Sequence, residues 1–313
     1  MSAPTSSRTA RSSTVNHRPR PSRPRSWSRD AVENRSFGVL RWVVIIVLLV
    51  VTVFPFYYMA MLSFRSLDAV TQDPGGLLPS ASELNLTRYA SVLKSADSGG
   101  QGFLQFMRNS ALVAISTVLL TLAVALPGSY AVSRLRFFGH RQVSALFLAV
   151  YFFPAILLAV PLFVFFSRIG LRGSLVGLVI VYVSQIVAVS VYMLRNYFDT
   201  IPVSLEEAAA LDGCSRLGVM RRISIPLALP AIMSNALFVF MIAWNEFLFA
   251  LLFLIANRDK WTVSLGLSQL AGSIEIPTTV LMAGSVILTL PIIIIFFATE
   301  RLLTEGLTAG AEK

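Results

Sequence analysis

Residues 202–230 read PVSLEEAAALDGCSRLGVMRRISIPLALP, a charged and small-residue stretch set between long apolar runs. Pro202 ends whatever precedes it, because it lacks a backbone donor and restricts the residue before it. Ser204, with Glu207 three residues on, has the spacing of a capping box, which predicts a helix from Leu205. Glu206 and Glu207 suit the positive end of the helix dipole. Ala208, Ala209 and Ala210 favour helix, and Gly213 after Asp212 supplies the left-handed stop. A second helical stretch is expected over about 215–223, before Pro226 and Pro230 turn the chain into the next apolar run. A two-turn helix is marginal alone. It either packs on its own bundle or docks into another protein, and its alanine face suits close docking.

On both sides of this loop the sequence is built for a bilayer. A hydrocarbon core of about 30 Å needs roughly 20 apolar residues per helix. Six segments qualify: 42–62, 110–132, 143–166, 174–194, 227–254 and 278–298. Within them only Glu246 is formally charged, and the cost of a charge at the bilayer centre makes it a functional candidate. Pro127 with Gly128, and Pro154 with Pro161, mark expected kinks. The expected fold is an all-α membrane protein of six transmembrane helices with both termini cytoplasmic. Its domains are a basic disordered tail, 1–37, and a six-helix domain, 38–313. The latter carries an extracytoplasmic loop at 64–108, expected as short helices and turns, and the cytoplasmic loop at 195–226.

Composition agrees. The chain is 55% hydrophobic and 13% charged, with mean hydropathy +0.72, against about 25% charged in soluble domains. A water-soluble enzyme is excluded. The net charge of +10 does not indicate nucleic acid, because eight arginines sit in the first 35 residues among Ser and Pro. That tail fixes topology or meets anionic lipid. Placing it in the cytoplasm leaves 18 Lys and Arg inside and eight outside, as the positive-inside rule requires. Neither a twin-Arg signal nor a cleaved secretory signal is expected.

The chemistry excluded is equally informative. One cysteine, Cys214, and two distant histidines, His17 and His140, build no metal site of His/Cys type. None of the three lysines follows a glycine, so no P-loop is present. If ATP is used, another chain binds it. The spans contain no His, Asp or Lys, so no catalytic constellation is expected. One Glu is thin for an ion-coupled secondary transporter.

Within the quoted loop, Glu207-Ala208-Ala209, then three residues, Gly213, nine residues, Ile223, one residue, and Ile225-Pro226 resembles the cytoplasmic signature of inner-membrane permease subunits of binding-protein-dependent ABC importers. Ile225 stands where the pattern has Leu. The WNEF of Trp244 to Phe247 and the GLTAGA of Gly306 to Ala311 are similar to the carbohydrate branch, the maltose-type second permease, and the resemblance runs from about residue 40 to 311. It implies a type I importer permease in the bacterial cytoplasmic membrane that is a transporter subunit without its own ATPase site. It further implies a heterodimer with a second permease, two ATPase subunits that bind ATP and Mg, and an extracytoplasmic sugar-binding protein, free or lipid-anchored. Residues implied in ATPase coupling are Glu206, Glu207, Ala208, Ala209, Asp212, Gly213, Ile223, Ile225 and Pro226. Gly306, Leu307, Thr308, Ala309 and Gly310 are implied as a C-terminal ATPase contact.

The polar groups of the spans leave alternatives open. Trp244, Asn245 and Glu246 either contact sugar or form hydrogen bonds within or between permeases. Gln185, with Ser184, Ser190, Tyr182 and Tyr192, lines the path or packs helices. The expected substrate is a disaccharide or oligosaccharide such as trehalose or maltose, the alternative a polyol or glycerol-phosphate ester.

Overall fold

The protein was analysed as a computed structural model, which describes residues 29–78, 86–135, 137–151 and 154–308. The described residues fold as helices: α1 (Arg29–Phe64), α2 (Leu67–Gln72), α3 (Thr87–Leu93), α4 (Phe103–Arg134), α5 (His140–Tyr151), α6 (Ala155–Arg168) and α7 (Leu175–Phe198). There follow α8 (Val203–Leu211), α9 (Arg216–Val219), α10 (Ile225–Leu227), α11 (Leu229–Asn245), α12 (Leu248–Leu254), α13 (Val263–Ala271) and α14 (Thr278–Thr308). The chain divides into two units, residues 1–55 and 56–313. The described part of the first unit is helical, and its apolar side chains from Trp42 to Val53 are exposed.

Helices are the expected answer to hydrocarbon, where each backbone donor and acceptor needs an internal partner. Four are long and apolar enough to cross a membrane: residues 37–64, 103–134, 175–198 and 278–300. The pair Arg216–Leu227 and Leu229–Asn245, bent by 76°, makes a fifth when counted as one span. Among the described residues this gives four such helices, or five with the bent pair, where the sequence predicts six spans. The third, 143–166, is divided between α5 and α6, because Pro154 lacks the donor a continuous helix needs there. At 14 residues α6 is about 21 Å long, short of the hydrocarbon thickness. The fifth, 227–254, is broken after Asn245 and resumes at Leu248.

The second unit is organised around α4, α7 and α11, with α14 against α11. The buried face of α4 carries Ser110, Ala114, Thr117, Thr121, Ala125 and Ser129, small residues at spacings of three or four that let α7 approach closely. Two apolar clusters result. The larger joins Val113, Val181, Tyr182, Val239, Phe240 and Trp244 with the segments after α11. The smaller joins Ala125, Val191, Leu194, Phe198, Ala228 and Ile232 near the loop.

At the Phe103 end of α4, polar ties hold the connections. Asn109 Nδ2 donates to the carbonyls of Asp259 (2.8 Å) and Trp261 (2.9 Å), and Ser110 Oγ accepts from Val263 N (2.8 Å). The buried Arg65 guanidinium organises residues 66–76 by donating to the carbonyls of Ala69 (3.1 Å), Asp73 (3.0 Å) and Gly76 (3.3 Å).

Close packing of α13 on α4 makes one glycine testable. A Cβ at Gly266 would lie 2.4 Å from Phe106 Cδ2, and that ring is buried between Phe103 and Trp261. Gly266→Ala is expected to cost about 1–3 kcal/mol through overpacking. A lower thermal midpoint of the purified protein is the measurement, and an unchanged midpoint contradicts this packing.

Candidate functional site

The loop quoted at the outset folds as a short helical hairpin. Helix α8 begins at Val203, not Leu205, with Pro202 in extended conformation (φ −58, ψ 126) at the N-cap. The capping box is not formed: Ser204 lies inside the first turn and no side chain caps this end. The fixed proline φ pre-organises entry into the helix and makes a serine cap unnecessary. Gly213 adopts φ +85, while Gly213 N and Cys214 N donate to the carbonyls of Ala210 and Ala209. The chain then restarts at α9, where Ser215 Oγ accepts from Gly218 N at 3.2 Å. Over Met220–Ser224 the helix widens by one residue into a π turn, with Ile225 N donating to Met220 O. This turn carries Ser224 into the interior.

Of the two adjacent glutamates, one is buried and the other exposed. Glu206 is 8% exposed. Its Oε1 accepts from Arg134 Nε at 2.9 Å and Ser224 Oγ at 2.9 Å, and its Oε2 from Tyr130 OH at 3.3 Å. Arg134 Nη2 also donates to Ile201 O at 2.8 Å. Glu206, which the resemblance implies among the ATPase-coupling residues, anchors α8 to its own chain. Removing one partner from a buried ion pair typically costs about 3–5 kcal/mol. Glu207, Ala208, Asp212 and Gly213 are exposed and Ala209 is buried. Around them Val203, Leu205, Leu211 (89% exposed) and Leu217 present an apolar surface. Ile223 and Ile225 are half-buried, and Pro226 is exposed. Sequence reasoning missed Arg134, Tyr130 and Ser224. The available signal was an arginine ending an apolar span near a doublet of acids.

Glu246 sits in the break between α11 and α12, extended at φ −63, ψ 131. Its Oε1 accepts from Phe249 N (2.8 Å) and its Oε2 from Ala250 N (3.2 Å), so it caps the free amides of α12. Tyr182 OH donates to the same carboxylate, and Ser264 Oγ donates to the Glu246 carbonyl at 2.6 Å. Trp244 is buried, donates from Nε1 to Leu288 O at 3.1 Å and stacks on Phe240. Asn245 is exposed and donates to Met241 O at 2.8 Å.

Between the two apolar clusters lie Thr117, Thr121, Gln185, Ser190 and Asn235, each with a buried polar atom lacking a hydrogen-bond partner. Gln185 thus belongs to an intramembrane polar layer whose other members, Ser190 excepted, sequence reasoning did not single out. Helix α14 carries Gly306, Leu307 and Thr308 as continuous helix; Ala309 and Gly310 lie outside the described residues. At the Phe103 end of α4, an open cavity of about 600 Å³ is lined by Leu93, Asp97, Gln105, Arg108, Arg258 and Asp259.

Residues 118–307 match the family described as the binding-protein-dependent transport system inner membrane component. The chain is 37% identical to the inner membrane ABC transporter permease protein YcjP of Escherichia coli over 266 residues, 85% of this chain and 92% of that protein. It is 35% identical to the trehalose/maltose transport system permease protein MalG of Thermococcus litoralis, over 86% and 94% of the two chains. Its fold matches a chain of a bacterial ABC transporter involved in import of the acidic polysaccharide alginate, with a TM-score of 0.73, 26% identity, and coverage of 89% and 99%. This chain belongs to the family of inner-membrane permease components of binding-protein-dependent ABC importers. It is a multi-pass protein of the cytoplasmic membrane and a transporter subunit, not an enzyme.

The cap at the α11 break yields a graded prediction. Glu246→Ala leaves two helix amides and a tyrosine hydroxyl without their acceptor, at about 1–3 kcal/mol, whereas Glu246→Gln keeps an acceptor. Gln is expected to retain most folded, assembled protein and Ala to lose it, as read by yield and thermal midpoint in detergent. Equal behaviour of the two variants contradicts the capping role.

Proposed function

We propose that this chain is the transmembrane permease subunit of an ATP-driven sugar importer for a disaccharide or short oligosaccharide of the trehalose or maltose kind. It pairs with a second permease to line the path, two cytoplasmic ATPase subunits bind ATP and Mg, and an extracytoplasmic binding protein delivers the sugar. The observation that carries the reading is the outward surface of α8, where Glu207, Ala208 and exposed Leu205 and Leu211 surround a helix stopped by Gly213. A compact apolar patch with small side chains suits insertion into a cleft of a partner protein. Residues 195–226 form that docking loop, on the cytoplasmic side with both chain ends, within a permease domain over 38–313 preceded by a basic tail. Gly306, Leu307, Thr308, Ala309 and Gly310 reach the ATPase pair as a second contact.

The substrate class draws support from the trehalose/maltose relative and the alginate importer, both handling carbohydrate. The cavity beside Arg108 and Arg258 lies at the end of α4 opposite the docking loop, where the binding protein arrives.

Complexes of this chain with its second permease, ATPase subunits and binding protein, reconstituted in proteoliposomes, are expected to import labelled trehalose or maltose only with internal ATP. Import driven by a proton gradient without ATP overturns the reading. Gly213→Val places a β-branched residue at φ +85, a cost of about 1–2 kcal/mol that shifts α9 relative to α8. This variant is expected to insert normally and to lose ATP-coupled uptake; wild-type uptake by it contradicts docking through the loop.

A further inference from the structure

The polar cluster behind α8 does more than hold a loop in place. Helix α8 packs chiefly on α9 and the π turn, so its tie to α4 runs through the side chains of Arg134, Tyr130 and Glu206. Arg134 lies in the last turn of α4. Its guanidinium bridges two parts of the loop, with Nε to Glu206 in α8 and Nη2 to the Ile201 carbonyl just after α7. Glu206 then extends the bridge to Ser224 in the π turn. One carboxylate and one planar, pre-organised fork therefore join α4, the end of α7, α8 and the turn leading to α11. Both charged side chains are 9% exposed, and charge-assisted hydrogen bonds shielded from water are short, directional and costly to break.

We propose that Arg134 and Glu206 form a strut that transmits displacement of the docking helix directly to the end of α4, the helix at the centre of the bundle. The inference rests on the importer reading above and adds a division of labour between neighbours: Glu207 meets the ATPase, and Glu206 passes the motion to the permease. Force applied to the exposed side of α8 enters on Glu207, Ala208 and Leu211. The opposite side of the same helix cannot slide along α4 without separating a buried acid from its base. Ser224 completes the strut: buried at the end of the π turn, it donates to Glu206 Oε1. Arg134 and Glu206 are positioning residues: they touch neither sugar nor nucleotide.

The test uses the complete complex with its ATPase subunits and binding protein in proteoliposomes. It measures copurification of the ATPase, ATP hydrolysis, and uptake of labelled trehalose and maltose. Arg134→Met and Glu206→Gln are expected to copurify the ATPase at the wild-type ratio and to hydrolyse ATP. Sugar imported per ATP falls about tenfold for Arg134→Met, within the usual range of coupling between sites, and less for Glu206→Gln, which keeps an acceptor. Glu207→Arg loses copurification instead. The double variant Arg134→Met with Glu206→Met leaves no buried charge unpaired, so its thermal midpoint stays near wild type while uptake remains uncoupled. The strut is overturned if the double variant regains wild-type sugar per ATP, if the single variants match wild type, or if Glu206→Gln loses the ATPase as Glu207→Arg does. A wild-type complex without ATP-driven uptake of either sugar overturns the importer reading and the strut with it.

Discussion

A bilayer offers no water to a broken backbone, and the architecture depends on how the chain meets that constraint. Long helices satisfy it automatically. An interruption leaves amides and carbonyls in need of partners, and a side chain of the same protein supplies them at the break after α11. Glu246 provides acceptors for Phe249 N and Ala250 N where α11 gives way to α12. Asn109 and Ser110 do the same for the segment leading into α13. The ends of α7 and α8 are bridged by Arg134.

These groups share a chemistry and differ in consequence. Glu246 accepts backbone donors close in sequence together with one tyrosine hydroxyl, so it shapes a local break and sets the direction of α12. Glu206 accepts from an arginine 72 residues away and a serine 18 residues away, so it couples elements that could otherwise move apart. An acid capping a helix rigidifies one element, whereas an acid bridging several makes them one body. The polar layer of Thr117, Thr121, Gln185, Ser190 and Asn235 stands between two well-packed apolar clusters.

Membership in the permease family gives the loop its context, and the structure gives it an inside and an outside. Residues one position apart on α8 lie about 100° apart around its axis, enough to bury Glu206 and expose Glu207. The outward side has small and apolar side chains, and the inward side is fully bonded. A helix of nine residues is thereby stable enough to present a defined surface despite its marginal length.

Much of this was legible in the sequence because it depends on local or bulk properties. Continuous apolar runs place helices at α1, α4, α7 and α14, since hydrocarbon accepts no alternative. The glycine after Asp212 marks the helix stop, since only glycine takes φ +85 without cost. The spacing of Glu207, Gly213, Ile223 and Pro226 identifies the family. Other features depend on partners far away in the chain. Hydropathy reads 227–254 as one span, yet the helix breaks after Asn245, where Glu246 holds the amides of α12; the interruption of 143–166 falls at Pro154, where the sequence predicts a kink. Ser204 and Glu207 have the spacing of a cap, yet Pro202 starts the helix first. Nothing within residues 203–211 distinguishes Glu206 from Glu207. The choice between them is made by Arg134, because a buried carboxylate is tolerable only where a base and hydroxyls converge on it. The sequence by itself determined which segments are apolar enough to cross a membrane and where the loop helix stops; the tertiary structure alone decided which acid of that helix is bonded inward, because that convergence exists only after α4, α8 and the π turn have packed together.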